Sequence, residues 1–165
     1  MVPLTRPLTT RRLRIEPVTP RLAHAARLGG AAFAQELGAD APADWCASSL
    51  ALLARTAAPI RAVAVHNEDG CVVGDVRFEP CEDGRVEIGY AVAPHRRRQG
   101  YAVEAAGAVI DWLFAAGVET VIAGCDRRNL ASINTLRRLG FWLDSTPGGA
   151  FWWVLTAELR DGANA

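Results

Sequence analysis

Residues 92–107 read VAPHRRRQGYAVEAAG. Three consecutive arginines, Arg96 to Arg98, run into a Gln-Gly-Tyr-Ala turn, and an apolar-periodic segment follows at once. The first amides of a helix have no carbonyl partners, and the helix dipole is already positive there. Further positive charge at that point calls for an anion. A strand, a tight glycine turn and a helix start together make such a site. Gly100 lets the backbone come close to a ligand, and Ala102 keeps the next turn small. The stretch has neither the Gly-Lys-Ser/Thr of a P-loop nor the GxGxxG dinucleotide fingerprint. Taken alone, it also fits a solvated basic turn.

The flanking segments set this turn in a fold. Upstream, Ile60–His66, Cys71–Glu79 and Arg85–Ala93 are strand-like runs separated by Asn-Glu-Asp-Gly and Glu-Asp-Gly turns, a three-stranded antiparallel meander. Pro94 ends it. Downstream, Tyr101 to Ala116 carries Ala102, Ala105, Val109, Trp112 and Leu113 on one helical stripe, and Gly117 stops it. Thr120–Cys125 reads as a buried strand, so the helix before it is a crossover and the strands it joins run parallel. Leu130–Leu139 is a helix closed by Gly140. Phe141–Ser145 and Ala150–Leu159 form a last hairpin, and the tail from Asp161 is expected to fray.

Nearer the N-terminus, Arg11–Val18 alternates as a strand. Thr19-Pro20 then caps a helix running to about Leu28. Residues 31–40 fit helix or loop, and Asp40-Ala41-Pro42 restarts a helix towards Arg55. The order is β-α-α-β-β-β-α-β-α-β-β, with no internal repeat.

Composition narrows the function. The chain has 165 residues, half of them apolar, which suits one domain with a real core. Lys+Arg and Asp+Glu balance to a formal net charge of zero, which argues against nucleic-acid binding and makes any anion site local. The four cysteines, Cys46, Cys71, Cys81 and Cys125, make no CxxC and have no histidine at zinc spacing. They read as reduced thiols of a cytoplasmic protein, with no metal expected. The opening MVPLTRPLTTRRLRI lacks the continuous apolar stretch of a signal peptide, and no run is long enough to span a membrane.

A second motif changes the reading of the first. Asn129-Leu-Ala-Ser132 opens the helix that ends in Leu139-Gly140-Phe141. Together with Val92-Ala93-Pro94-His95-Arg96-Arg97-Arg98-Gln99-Gly100-Tyr101-Ala102, it resembles the GNAT superfamily of acetyl-CoA-dependent N-acetyltransferases. The latter run fits that superfamily's V-x-P-x-x-[QR]-x-x-G-x-[GA] pyrophosphate loop. N-x-A-S followed by L-G-F, with the opening Thr10-Arg-Arg-Leu13 to Pro17, is similar to the branch that holds ribosomal-protein N-terminal acetyltransferases. The resemblance implies a mixed α/β fold. Its sheet would be mostly antiparallel, of about seven strands, with a splayed central parallel pair and four flanking helices.

The resemblance also implies that acetyl-CoA is the cosubstrate, with its pyrophosphate in the turn. The amides of about Arg98, Gln99, Gly100, Tyr101 and Ala102 would cradle it. Arg97 occupies the family's Q/R position, and Arg96 or Arg98 would meet the 3′-phosphate. The amides near Tyr90 and Val92 would meet the thioester carbonyl and the pantetheine arm, and Asn129 would shape the loop or touch that arm. The reaction is amine attack on a thioester, which calls for a general base.

Glu87 is the first choice of base, with a solvated strand glutamate as the other reading. Strict alternation points Glu87 and Val92 to opposite faces. A catalytic Glu87 therefore predicts a bulge near Gly89–Ala91. A regular strand would remove it from the role and leave a water held by backbone carbonyls. Superfamily members often protonate the leaving thiolate with a tyrosine on the last helix, but no tyrosine follows Tyr101 here. Ser132 takes that role in the branch reading, against a plain first-turn helix serine.

The histidines share no constellation. Trp152 and Trp153 should point to opposite faces of a strand, and Trp45 reads as core. The resemblance implies a primary-amine acceptor, either a protein N-terminus or a small molecule, and homodimers are common in the branch. The alternative is a non-catalytic acyl-CoA-binding module.

Overall fold

The structure, a computed structural model, describes residues 3–55 and 60–163. Its sheet is built from β1 (Leu8–Thr9), β2 (Leu13–Pro17), β3 (Arg61–His66), β4 (Val72–Pro80), β5 (Val86–Val92), β6 (Thr120–Asp126), β7 (Trp142–Ser145) and β8 (Ala150–Thr156). The helices are α1 (Pro20–Leu28), α2 (Gly30–Leu37), α3 (Ala43–Ala54), α4 (Tyr101–Ala115), α5 (Leu130–Arg138) and α6 (Ala157–Ala163). The strand order is β1-β2-β3-β4-β5-β6-β8-β7, and β5 and β6 form the parallel pair that the crossover helix α4 requires.

The expected sheet of about seven strands has eight, and the four expected helices are six. The extra strand is β1, two residues held by Leu8 and Thr9 opposite Ile15 and Arg14. The ambiguous segment 31–40 is largely helix α2, ended by Gly38 at φ 67°. Residues 157–163 form α6 rather than a continuation of the last strand or a frayed tail; residues 164–165 lie outside the described residues. Elsewhere the boundaries fall within about two residues of expectation. Thr19 caps α1 as its sequence demands, accepting from the Leu22 amide at 3.2 Å.

Two apolar layers sandwich the sheet, and strand alternation divides the residues between them. In β3, Ala62 and Ala64 join the layer under α4 and α5, with Phe78, Ile88, Val109 and Leu136. Val63 and Val65 join the layer under α1–α3, with Phe33, Trp45 and Leu53. The second layer contains a buried carboxylate, Asp75 of β4. It accepts from Ser49 Oγ at 2.9 Å and Trp45 Nε1 at 3.2 Å, with Arg61 Nη1 at 3.5 Å. These contacts pin α3 to the sheet. Burial is the largest influence on the Asp75 carboxyl and pushes its pKa up.

An irregularity of the sheet lies one strand away from where it was expected. β4 and β5 pair without interruption from Gly74↔Val92 to Pro80↔Val86, so β5 has no bulge at Gly89–Ala91. A register shift lies between β3 and β4, where Ala64↔Gly74 is followed by Val65↔Val72 and leaves Val73 as the extra residue, and another lies between β7 and β8 at Leu143/Ser145.

Candidate active site

β5 and β6 pair at Val86↔Val121 and Glu87↔Ile122, and then part. Beyond Glu87, β5 keeps β4 on one side and has an open edge on the other. The Ala93 amide donates to Val73 O of β4 at 2.9 Å. Backbone groups alternate along a strand, so those of Val92 and Tyr90 face the open edge. An unpaired edge inside a sheet is a row of donors and acceptors suited to an extended, strand-like ligand.

The parted strands open into a cavity of about 680 Å³ between β5, the 96–103 turn and α5. Of the residues singled out in the sequence, Tyr90, Val92, Arg97, Arg98 and Gly100 line it. So do Tyr101, Ala102, Asn129 and Ser132. Gln99 does not. Its side chain turns back to His95 O at 3.4 Å, and its carbonyl accepts from Arg12 Nη1 at 3.0 Å.

The turn is held from several sides. Gly100 sits at φ 83°, which favours glycine, and is the N-cap of α4 without a capping side chain. The first α4 amides therefore have no side-chain cap and point outward. Arg98, at φ 62°, is the non-glycine residue with positive φ among the described residues, so the turn stores some backbone strain. Arg97 folds back and donates from Nε to Val92 O at 3.2 Å. Arg96 is ion-paired with Asp69 of the β3–β4 turn, and His95 Nδ1 lies 3.0 Å from Asp44 Oδ2 at the start of α3. With Arg96 so engaged, Arg98 is the arginine of the run with no side-chain partner among the described residues.

Glu104, in the first turn of α4, ties the N-terminal segment to the same turn. It accepts from Thr10 Oγ1 at 2.6 Å, the Arg12 amide at 2.8 Å and Arg12 Nε at 2.7 Å. Burial pushes its carboxyl up, but the bonds from Thr10 and Arg12 outweigh this and hold its pKa below the ordinary glutamate value. A carboxylate with a depressed folded pKa contributes stability above its unfolded pKa and loses it as pH falls through the folded one. Glu104→Gln should cost roughly 2 kcal/mol at neutral pH and flatten the acid limb of the stability curve, measured by urea unfolding between pH 3 and 7.

Glu87 does not reach this cavity. The regular strand sends it to the face opposite Ile88 and Tyr90, where its carboxylate pairs with Arg77 Nη2 at 2.8 Å. The requirement attached to a catalytic Glu87, a bulge in β5, is not met. Glu87 instead lines a second cavity of about 360 Å³ with Ile122, Asp144, Ser145 and Trp152. Trp153 is buried in the α4–α5 layer, so the two tryptophans do divide between faces.

Two cavity features escaped the sequence reading. Ala131, Thr135 and Arg138 line the wall with Ser132. Their successive steps of four and three residues make one helical stripe, a signal present once Asn129 is taken as the cap. Asn129 does cap α5, accepting from the Ser132 amide at 3.1 Å. The second feature is the Tyr90 side chain, which crosses the gap and donates from Oη to Ser132 O at 3.3 Å. Among the described residues, no group of three or more His, Cys, Asp or Glu is placed to hold a metal ion, and no helix is long and apolar enough to cross a membrane.

Comparison with known proteins gives this geometry a family. The acetyltransferase (GNAT) domain profile matches residues 12–142, and the chain belongs to that family. The N-acetyltransferase YjdG of Bacillus subtilis, itself uncharacterized, is 35% identical over 99 residues, covering 58% of this chain and 59% of that protein's length. A GNAT-family acetyltransferase from Bacillus anthracis has the same fold, with a TM-score of 0.66 at 16% identity over 92% of this chain and 99% of that one. The ribosomal-protein-S5-alanine acetyltransferase of Vibrio fischeri aligns at TM-score 0.60 and 17% identity, covering 91% of this chain and 96% of that one. The Campylobacter jejuni N-acetyltransferase PseH, solved in complex with acetyl coenzyme A, aligns at TM-score 0.52 and 15% identity, covering 68% and 77%.

Proposed function

We propose that the protein transfers an acetyl group from acetyl-CoA to a primary amine. The observation that carries this is the open edge of β5. Its Tyr90 and Val92 amides face a slot that leads to an arginine-rich helix start. The fit of the cofactor is tested by two features. The Gly100 turn leaves the first α4 amides uncapped for a pyrophosphate, and the open edge suits the amides of a pantetheine arm. The thioester supplies an acyl carbon open to attack by a neutral amine. Tyr90 and Val92 N–H groups would orient that carbonyl, and a backbone donor aimed at a developing oxyanion is worth about 3 kcal/mol. Arg97 and Arg98 would balance the phosphate charge.

The amine would enter from the opposite face of the sheet, through the second cavity. There Trp152 offers an aromatic surface, and Glu87 and Asp144 offer carboxylates to a cationic acceptor. Glu87 then serves acceptor binding, and a water held by backbone carbonyls takes the proton. Glu87→Gln should leave acetyl-CoA affinity within twofold, which calorimetry checks without knowledge of the acceptor. Ser132, capped at its amide by Asn129, is the proton donor proposed for the departing sulfur. The placement of Glu87 away from the cofactor cavity also favours a second reading, a non-catalytic acyl-CoA-binding module. Thiol release from acetyl-CoA in the presence of a panel of N-terminal peptides and small amines separates the two. Acceptor-dependent release supports the enzyme, and binding without release under every acceptor supports the module.

A further inference from the structure

The chain has two tyrosines, and both border the cavity. Tyr101 is committed elsewhere: its ring lies under the Arg12 guanidinium at 4.5 Å and edge-on to His66 at 5.6 Å. Tyr90 is different. Its amide faces the slot between β5 and β6, and its side chain leaves on the α5 side, so one residue brackets the path of an extended ligand. Its hydroxyl bond to Ser132 O is 3.3 Å, long for an O–H donor, which prefers about 2.7–2.8 Å. That carbonyl lies within α5, where the ordinary helical bond already engages it. The phenol O–H is thus a half-buried donor in a weak bond, free to turn to a better acceptor.

Resting on the acetyltransferase reading above, we propose that Tyr90 Oη is the hydrogen-bond donor to the cofactor's sulfur as the thioester is cleaved. As the C–N bond forms, the C–S bond breaks and its electron pair stays on sulfur. The amine's proton passes to water, and Ser132 protonates the thiolate only after it has left. Tyr90 keeps its own proton throughout and stabilises the thiolate as a neutral donor. A phenol does this better than the aliphatic hydroxyl of Ser132, because it is the more acidic group. Burial pushes the Tyr90 phenol up to about 12, while its contacts with Ser132 and Thr135 lower it. It therefore stays protonated wherever a thiol titrates.

Other charged or titratable groups bordering this space are Arg138 of α5, Arg96, Arg97 and Arg98 of the turn and Tyr101 of α4. From β6, the Cys125 thiol also acts on Tyr90.

The test is calorimetric titration of free CoA and of acetyl-CoA at pH 7 and pH 9.5, using the full chain, Tyr90→Phe, and each again with Cys125→Ser. Acetyl-CoA has no titratable sulfur and reports every other pH effect. Relative to acetyl-CoA, CoA should bind the wild-type chain about tenfold more tightly at pH 9.5 than at pH 7. Tyr90→Phe should reduce that gain to less than twofold while holding acetyl-CoA within about threefold. A gain that survives Tyr90→Phe, or is absent from the wild type, overturns the assignment. Failure of the wild type to bind acetyl-CoA at either pH overturns the acetyltransferase reading instead.

Discussion

Gly100→Trp abolishes measurable acetyl-CoA binding, with a loss of at least 100-fold, about 2.7 kcal/mol. Gly100 combines two constraints. Its φ of 83° already costs any side chain about 1–2 kcal/mol. A Cβ there comes within 3.4 Å of Arg12 Nη2, and Arg12 is anchored by Glu104 at 2.7 Å. An indole must displace that ion pair or turn over the first amides of α4, which is where the pyrophosphate would sit. Gly100→Ala separates the two effects. It bears the backbone strain but adds one methyl, and it should keep binding within about fivefold while lowering the melting temperature slightly. Calorimetry on both variants, with circular dichroism to confirm the fold, reads the difference.

Gly74→Ala is the largest expected effect on stability. A Cβ at Gly74 would stand 2.1 Å from the carbonyl oxygen of Ala91, closer than real contacts allow. The Cβ is fixed rigidly to the β4 backbone and the oxygen is backbone of β5 in the middle of the sheet, so neither can swing away. β4 and β5 must separate, beside the register shift at Val73. Overpacking of this kind costs about 3 kcal/mol, which in a domain of this size lowers the melting temperature by roughly 6–12 °C. Gly107→Ala is the control. It lies inside α4, where a Cβ meets the Arg160 and Leu139 side chains at 3.4 and 3.5 Å, and it should stay within about 1 kcal/mol of wild type. Because Ala91 lies between Tyr90 and Val92, Gly74→Ala should also weaken acetyl-CoA binding.

What the sequence made legible, and what it hid, follow from the range of the interactions involved. The Thr19 cap, the crossover between β5 and β6 and the turn before α4 are local or set by chain order, and they read directly. The wall residues Ala131, Thr135 and Arg138 were readable in principle, as a stripe on α5. The placement of Glu87 was not. It depends on whether the sheet absorbs its distortion in β5 or in β4, and the two strands offer similar residues. The structure places the irregularity at Val73, next to a glycine that lets β4 press on Ala91. β5 stays regular, and Glu87 turns to the other face. The pairing of Arg96 with Asp69 was hidden for a like reason, since those side chains are 27 positions apart and meet only through the sheet.

The central claim is that the slot between β5 and β6 and the turn at Gly100 form one acetyl-CoA site. Isothermal titration of acetyl-CoA into the wild-type protein tests it most directly. The account predicts saturable binding with one site per chain, weakened by rising salt because the turn arginines and α4 amides meet phosphate. A flat titration, or binding that Gly100→Trp leaves unchanged in a folded protein, would contradict it.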